Sequence, residues 1–272
     1  MPELPEVETV VRELGEEIIG DTISSVEIFR SNPIVQGDLD AFQQQMSGRK
    51  FIDVRRRAKY LIFHLEPEKY LVAHLRMTGK FIISNPLPEP TKYNRVWFNL
   101  KSNRVLIFDD IRCFGTLEVY AKLSDSKSLK KLGIEPLSAG LTPEYFKKLL
   151  HSSKREIKSI LLDQKFVVGL GNIYVSEILF RAKIHPQRIA GKINKKEWSR
   201  IVNNTQYILQ EAIKNNGTTI SDFRRVDDKT GKFQQFLQVY DKKEEPCPEC
   251  GLPIQRIVQQ QRSTYFCAEC QR

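Results

Sequence analysis

Met1-Pro2-Glu3-Leu4-Pro5-Glu6-Val7-Glu8-Thr9-Val10 opens the chain. A proline directly after the initiator Met is small enough for that Met to be trimmed, which would expose a secondary amine. Amines attack sugar aldehydes, and imine formation is one route of covalent catalysis. Glu3, the next residue, would supply the proton transfers such chemistry needs. The plainer alternative is that Pro2 and Pro5 only open a helix, since proline suits a first turn. A helix follows on either reading. Val7, Val10, Val11, Leu14 and Ile18 recur at three and four between Pro5 and Ile19, which is one helical face, and Gly20 ends it. Glu6, Glu13, Glu16 and Glu17 are expected to face solvent on the other side.

Beyond the helix, residues 23 to 120 read as strands. Phe51–Val54, Tyr60–Phe63, Tyr70–Ala73, Phe81–Ile83, Val96–Phe98 and Val105–Phe108 are short, β-branched and aromatic, with turn formers such as Thr78-Gly79 and Ser102-Asn103 between them. Strands at this spacing indicate a sandwich or barrel. Pro86-Leu87-Pro88-Glu89-Pro90 reads as an exposed connection. After Tyr120 the period becomes helical, near 142–151, 155–163, 172–183 and 194–215. Thr142-Pro143 is a helix start, Asn194 with Glu197 resembles a capping box, and Gly217 closes the last helix. Thr218 to Phe236 is polar, mixed in charge and weakly periodic, and is expected to be a mobile loop. The expected organisation is α+β and multidomain: 1–125, 130–220, a connecting loop 221–239, and a small unit 240–272.

The 272 residues carry a formal net charge of +10, which suits a polyanionic partner. No apolar run approaches the roughly 18 residues of a membrane span, and the acidic start lacks an apolar signal core, so a cytosolic protein is expected. Four of the five cysteines crowd the last 26 positions as Cys247-Pro-Glu-Cys250 and, sixteen residues later, Cys267-Ala-Glu-Cys270. Two such knuckles suit a tetrahedral four-thiolate zinc site, which would staple a segment too small to fold alone. Two disulfides are the alternative, which a reducing compartment opposes. Val167-Val168-Gly169-Leu170-Gly171-Asn172 presents backbone N–H groups at a helix start, where an anion or a tight interhelical turn would fit. A dinucleotide fold is disfavoured because Tyr174 stands where a third glycine belongs. Arg55-Arg56-Arg57-Ala58-Lys59-Tyr60 reads alone as a solvated strand edge, and Met77 and Phe114 as core.

These stretches together resemble the formamidopyrimidine-DNA glycosylases over nearly the full length. The carriers are Pro-Glu-Leu-Pro-Glu at the start, Arg56–Leu61, His74–Gly79, Asp109–Gly115, Gly169–Glu177, Leu237–Tyr240 and the cysteine pairs. The resemblance implies a leading helix on a β-sandwich, a helix–two-turn–helix domain and a zinc ribbon holding one structural zinc. It implies a monomeric, bacterial, nucleoid-associated glycosylase and abasic-site lyase for oxidised purines, 8-oxoguanine and formamidopyrimidines, in duplex DNA. Pro2 would attack C1′ and displace the base. The resulting imine would acidify the 2′ proton, and elimination of the 3′ and then the 5′ phosphate would leave a one-nucleotide gap. Glu3 would shuttle protons, Lys59 would reach the lesion, and Arg262 would steady phosphates. Met77, Arg112 and Phe114 would fill the void left by the extruded base. His74, Tyr93, Lys154, Lys158 and Asn172 would contact the DNA, with both lysines adding charge to the surface beside Asn172, and Thr218–Asp228 would close over the lesion.

The chain departs from the pattern at three places. Cys113 replaces a commonly basic residue, Lys92–Arg95 lacks the usual histidines so that Tyr93 would have to substitute, and Asp241 stands where glycine is usual. Two rivals remain: an endonuclease VIII type acting on oxidised pyrimidines, and a non-catalytic damage binder. Leu4, where the endonuclease VIII type carries glycine, opposes the first, and the intact Pro2, Glu3 and Lys59 oppose the second.

Overall fold

A computed structural model describes residues 1–29, 34–85, 87–218 and 231–272. Pro86 and most of the expected closing loop, from 219 onward, lie outside the described residues. The chain divides into two compact units, Met1–Lys130 with Asn215–Lys232, and Lys131–Lys214 with Phe233–Arg272.

In the first unit, α1 (Leu4–Ile18) precedes β1 (Ile23–Ile28), α2 (Leu39–Met46), β2 (Lys50–Arg57), β3 (Tyr60–Glu66), β4 (Lys69–His74), β5 (Gly79–Ser84), β6 (Asn94–Leu100), β7 (Val105–Asp110), β8 (Thr116–Tyr120) and the single turn α3 (Lys127–Lys130). The strands form two antiparallel sheets, β1-β6-β7-β5 and β2-β3-β4-β8. Phe51, Phe63 and Leu71 from one sheet share a core with Phe81, Phe98 and Phe108 from the other, and with Val7, Val10 and Leu14 of α1. Nonpolar burial of this kind supplies the main driving force for the fold.

The stretch 23–120 is not all strand, because 39–46 forms α2. Asp38 caps it by accepting from Ala41 N at 2.7 Å, and Phe42 and Met46, four apart, are its buried side. The segment has no β-branched residue, so nothing opposes the helix. Nor does Glu6 face solvent. It is 2 % exposed, because it is the third residue of α1 and closes a capping box, Glu3 N donating to its Oε2 at 2.8 Å. Its Oε1 accepts from Thr218 N at 2.7 Å and Thr218 Oγ1 at 3.1 Å. Gly217, at φ +74°, lies so close that a Cβ would fall 2.6 Å from Glu6 Oε1, so both space and backbone conformation demand glycine there.

In the second unit, α4 (Pro143–Leu150), α5 (Ile157–Leu162), α6 (Asn172–Ala182) and α7 (Lys195–Lys214) precede a hairpin of β9 (Gln255–Gln259) and β10 (Arg262–Phe266). Thr142 caps α4 through Tyr145 N at 3.1 Å. Asn194 and Glu197 exchange the reciprocal bonds of a capping box at 3.0 and 2.9 Å. Trp198 of α7 stacks on Phe146 of α4 with centroids 4.4 Å apart and 11° between planes. Trp198→Ala is therefore expected to destabilise this unit by about 3–5 kcal/mol, read as a shift in urea midpoint. No helix among the described residues is long and apolar enough to cross a membrane.

Candidate functional site

In the first unit, Pro2 and Glu3 are buried at the start of α1 while Met1 is exposed. The Glu3 side chain accepts from the Glu6 N–H in the capping box, so its carboxylate lies at the positive end of the helix dipole. Lys59, also buried, sits in the turn between β2 and β3 after Ala58, which takes a left-handed φ of 55°. Arg56 braces that turn against α1. Its Nε meets Glu8 Oε2 at 2.8 Å and its Nη1 donates to Ala58 O at 3.2 Å. Arg56 is thus no solvated edge residue, although Arg55 is exposed.

His74 ends β4 and is buried. Its Nδ1 accepts from Arg76 N at 2.9 Å and its ring meets Tyr60 edge-on at 4.5 Å. Burial, with Arg76 and Lys59 adding positive charge, pushes its pKa down to about 3, so His74 is a neutral imidazole at pH 7. An unfolded histidine titrates near 6.5. Between about 6.5 and about 3 the unfolded chain therefore holds the extra proton, and stability falls as the pH drops through that window. His74→Gln is expected to flatten this part of the stability profile and to leave the slope above it unchanged, as measured by denaturant midpoints across pH.

Met77, Arg112 and Phe114 are brought together, and all three are exposed rather than core. Arg112 Nη1 lies 3.1 Å from Met77 Sδ, and its guanidinium stands 4.8 Å from the centre of the Phe114 ring, within cation–π range. Asp110, which sequence reasoning passed over, holds the arrangement from beneath. It is fully buried, bonds to the Thr78 hydroxyl through Oδ1, and accepts from Arg112 N at 3.1 Å and Gly115 N at 2.8 Å. Arg95, also buried, donates to Asp110 O at 2.7 Å and Lys92 O at 3.0 Å. It thereby fixes the segment carrying Tyr93, which is 36 % exposed. Cys113 takes a left-handed φ of 57°.

In the second unit, Asn172 begins α6 and its Nδ2 donates to Ser263 O at 2.9 Å, while its Oδ1 is buried without a partner. An amide nitrogen carries two protons, so one bond to the hairpin leaves a second donor for an anion. Lys158 does not add charge to an exposed face as expected. It is 1 % exposed, and its ammonium donates to Ser263 O at 2.9 Å and Thr264 Oγ1 at 2.6 Å, because α5 packs it beneath the hairpin. Lys154 is exposed. Arg262 opens β10, exposed and paired with Gln259, and strand alternation puts it on the face of Thr264. Arg256 of β9 donates to Ser263 Oγ at 3.0 and 2.8 Å, so Ser263 is held from both sides. Glu177 of α6, another residue the sequence did not reveal, accepts from the N–H groups of Gln238, Val239 and Tyr240 at 2.8 to 3.0 Å. Burial raises its pKa and those three donors oppose the rise. This anchors the segment leading into the ribbon.

The sulfurs of Cys247, Cys250, Cys267 and Cys270 all lie within 4.8 Å of one another. Cys247 and Cys270 are 3.9 Å apart and Cys250 and Cys267 3.5 Å. A tetrahedron with Zn–S bonds of about 2.3 Å has edges of roughly 3.8 Å, and disulfides require about 2.05 Å, so the cluster fits one structural zinc and not two bridges. With four protein thiolates around the ion, no position is open for chemistry.

The comparisons with known proteins agree along the whole chain. The family model for the formamidopyrimidine-DNA glycosylase N-terminal domain matches residues 1–117, the one for the H2TH domain of that glycosylase matches 132–224, and that of a zinc finger found in FPG and IleRS matches 244–272. A formamidopyrimidine-DNA glycosylase of Desulforamulus reducens is 41% identical over 275 residues, covering 100% of this chain and 99% of its own. One from Listeria innocua is 41% identical with full coverage of both. Among solved structures, a Lactococcus lactis FPG variant bound to Fapy-dG-containing DNA superposes with a TM-score of 0.94 at 37% identity over 100% of both chains. The Lactococcus enzyme with abasic-site DNA gives 0.92 at 36% identity over 99% of both.

Proposed function

The chain belongs to the formamidopyrimidine-DNA glycosylase family, and from that premise we propose a mechanism for its own residues. It is a base excision repair glycosylase and abasic-site lyase acting on oxidised purines, with double-stranded DNA as partner and one structural zinc. With Met1 removed, the Pro2 nitrogen attacks C1′ of the damaged nucleotide, the C1′–base bond breaks, and the base leaves with a proton. The cation left on the Pro2 nitrogen acidifies the 2′ C–H. Glu3, at the helix start beside Pro2, moves protons for ring opening and for loss of the 2′ hydrogen. The electron pair expels the 3′ phosphate, a second elimination expels the 5′ phosphate, and water releases Pro2. Lys59 contacts the lesion site. His74, Tyr93, Lys154, Asn172 and Arg262 hold the backbone, His74 as a neutral ring, while Lys158, buried beneath the hairpin, holds β10 in place for them. The bacterial relatives support a cytoplasmic location beside the nucleoid for this work.

The observation that carries the purine reading is the joined, exposed set of Met77, Arg112 and Phe114. Arg112 offers donors that suit the acceptor edge of an orphaned cytosine. Lesions opposite cytosine should be preferred to lesions opposite adenine, and 8-oxoguanine and formamidopyrimidine should be cut well and thymine glycol poorly. Arg112→Ala is expected to lose much of the opposite-base preference while cleavage of preformed abasic sites persists. Better cutting of thymine glycol than of 8-oxoguanine, or an unchanged preference in Arg112→Ala, would move the chain to the pyrimidine-specific type.

A further inference from the structure

We propose that the buried pair Thr78 and Asp110 is the positioning device that sets opposite-base selectivity, an inference that rests on the reading of Arg112 above. Thr78 adjoins Met77 in one loop, while Asp110 precedes the loop of Arg112 and Phe114. The Thr78 hydroxyl bonds to Asp110 Oδ1 and also accepts from Arg112 N at 3.0 Å. Arg112 N shares its proton with Asp110 Oδ1 at 3.1 Å. The other carboxylate oxygen, Oδ2, accepts from Gly115 N at 2.8 Å. One carboxylate thus brackets the segment from Arg112 to Gly115, and one hydroxyl ties it to the loop that carries Met77.

The fit leaves little slack. A Cβ on Gly115 would come within 2.6 Å of the Phe108 ring and 3.1 Å of Asp110 Oδ2. Both loops turn at non-glycine residues in the left-handed region, Arg76 at φ 53° and Cys113 at φ 57°. Such conformations persist only where surrounding bonds enforce them, and the clasp supplies those bonds. Asp110 is 0 % exposed and Thr78 7 %, so neither can touch a base. Their effect must pass through the aim of Arg112. Buried networks of this kind rigidify when every member is satisfied and loosen when one partner is removed.

A hydrogen-bonded arginine–base contact discriminates by about tenfold or more, but only if the guanidinium is held in register. Thr78→Val keeps the volume and deletes the hydroxyl. In the zinc-loaded full chain, it is expected to lower the ratio of kcat/KM for 8-oxoguanine opposite cytosine over that opposite adenine by about tenfold. Cleavage of a preformed abasic site should fall far less. Thr78→Ser, which restores the hydroxyl, should restore the ratio. A thermal melt checks folding, and Thr78→Ala replaces the valine variant if that chain does not fold. Arg112→Ala is run beside them. If Arg112→Ala loses the preference while Thr78→Val keeps it within about twofold, or if Thr78→Ser loses as much as Thr78→Val, the clasp is wrong and the reading of Arg112 stands. An unchanged ratio in both Arg112→Ala and Thr78→Val overturns that reading and the clasp with it.

Discussion

Removing the metal, by chelation or by Cys250→Ser, is expected to unfold the ribbon and lower duplex affinity by roughly a hundredfold or more. Structural zinc sites in small fingers contribute roughly 10–16 kcal/mol, most of which is folding energy. The ribbon's own core is small, with Val239, Ile254, Tyr265 and the cysteines packed on Phe180, and cannot replace that. The loss reaches beyond the ribbon because β10 organises the helical part. Ser263 O and Thr264 Oγ1 fix the Lys158 ammonium, and Ser263 O also fixes the Asn172 amide. Without them, the Asn172 amide and Arg262 lose their register at the proposed DNA surface, and a hydrogen bond to a charged group is worth about 1.5–3 kcal/mol. The helices around Trp198 and Phe146 should keep their fold. Affinity of the intact protein should fall about a thousandfold or more between about 50 and about 200 mM salt if six or more phosphates are neutralised, and the metal-free chain should show a shallower slope. Fluorescence anisotropy with a labelled duplex measures both. Normal binding by a metal-free chain would remove the ribbon from the DNA-contacting surface.

A residue retained ahead of Pro2 should abolish both base excision and strand cleavage. An amide nitrogen delocalises its lone pair into the carbonyl and is not a nucleophile, whereas the freed proline nitrogen is. Glu3→Gln should lower turnover by roughly a hundredfold or more, the range of positioned proton transfer. It should leave duplex binding near wild type, since the glutamine oxygen can still accept the Glu6 N–H that closes the helix cap. Single-turnover cleavage of an 8-oxoguanine duplex separates these cases. Full activity in either variant would exclude the terminal-imine mechanism.

The strands were legible because alternation and β-branching survive in short runs, and the caps at Thr142 and Asn194 because capping is local. The order β1-β6-β7-β5 was not, since pairing Ile23 with Leu100 is a long-range choice that no local pattern encodes. α2 was hidden by its apolar, aromatic-bearing neighbours. Glu6 looked like one more solvated acid until Thr218, far along the chain, proved to be its partner. The same holds for Lys158, whose acceptors lie more than a hundred positions away in the ribbon. The zinc ligands were legible from their spacing together with the expected reducing compartment, but the roles of Met77, Arg112 and Phe114 came only from the family resemblance. Asp110 was missed because a buried carboxylate between two loops has no sequence signature.

The central claim is that Pro2 forms a covalent imine with the damaged nucleotide, and borohydride capture tests it most directly. Borohydride reduces the imine to a stable amine. Incubation with a duplex carrying 8-oxoguanine opposite cytosine, reduction, digestion and mass spectrometry of the adduct should find the sugar remnant on the Pro2 nitrogen, with Met1 absent. An adduct on Lys59 or another lysine, or cleavage without any trapped complex, would contradict the account.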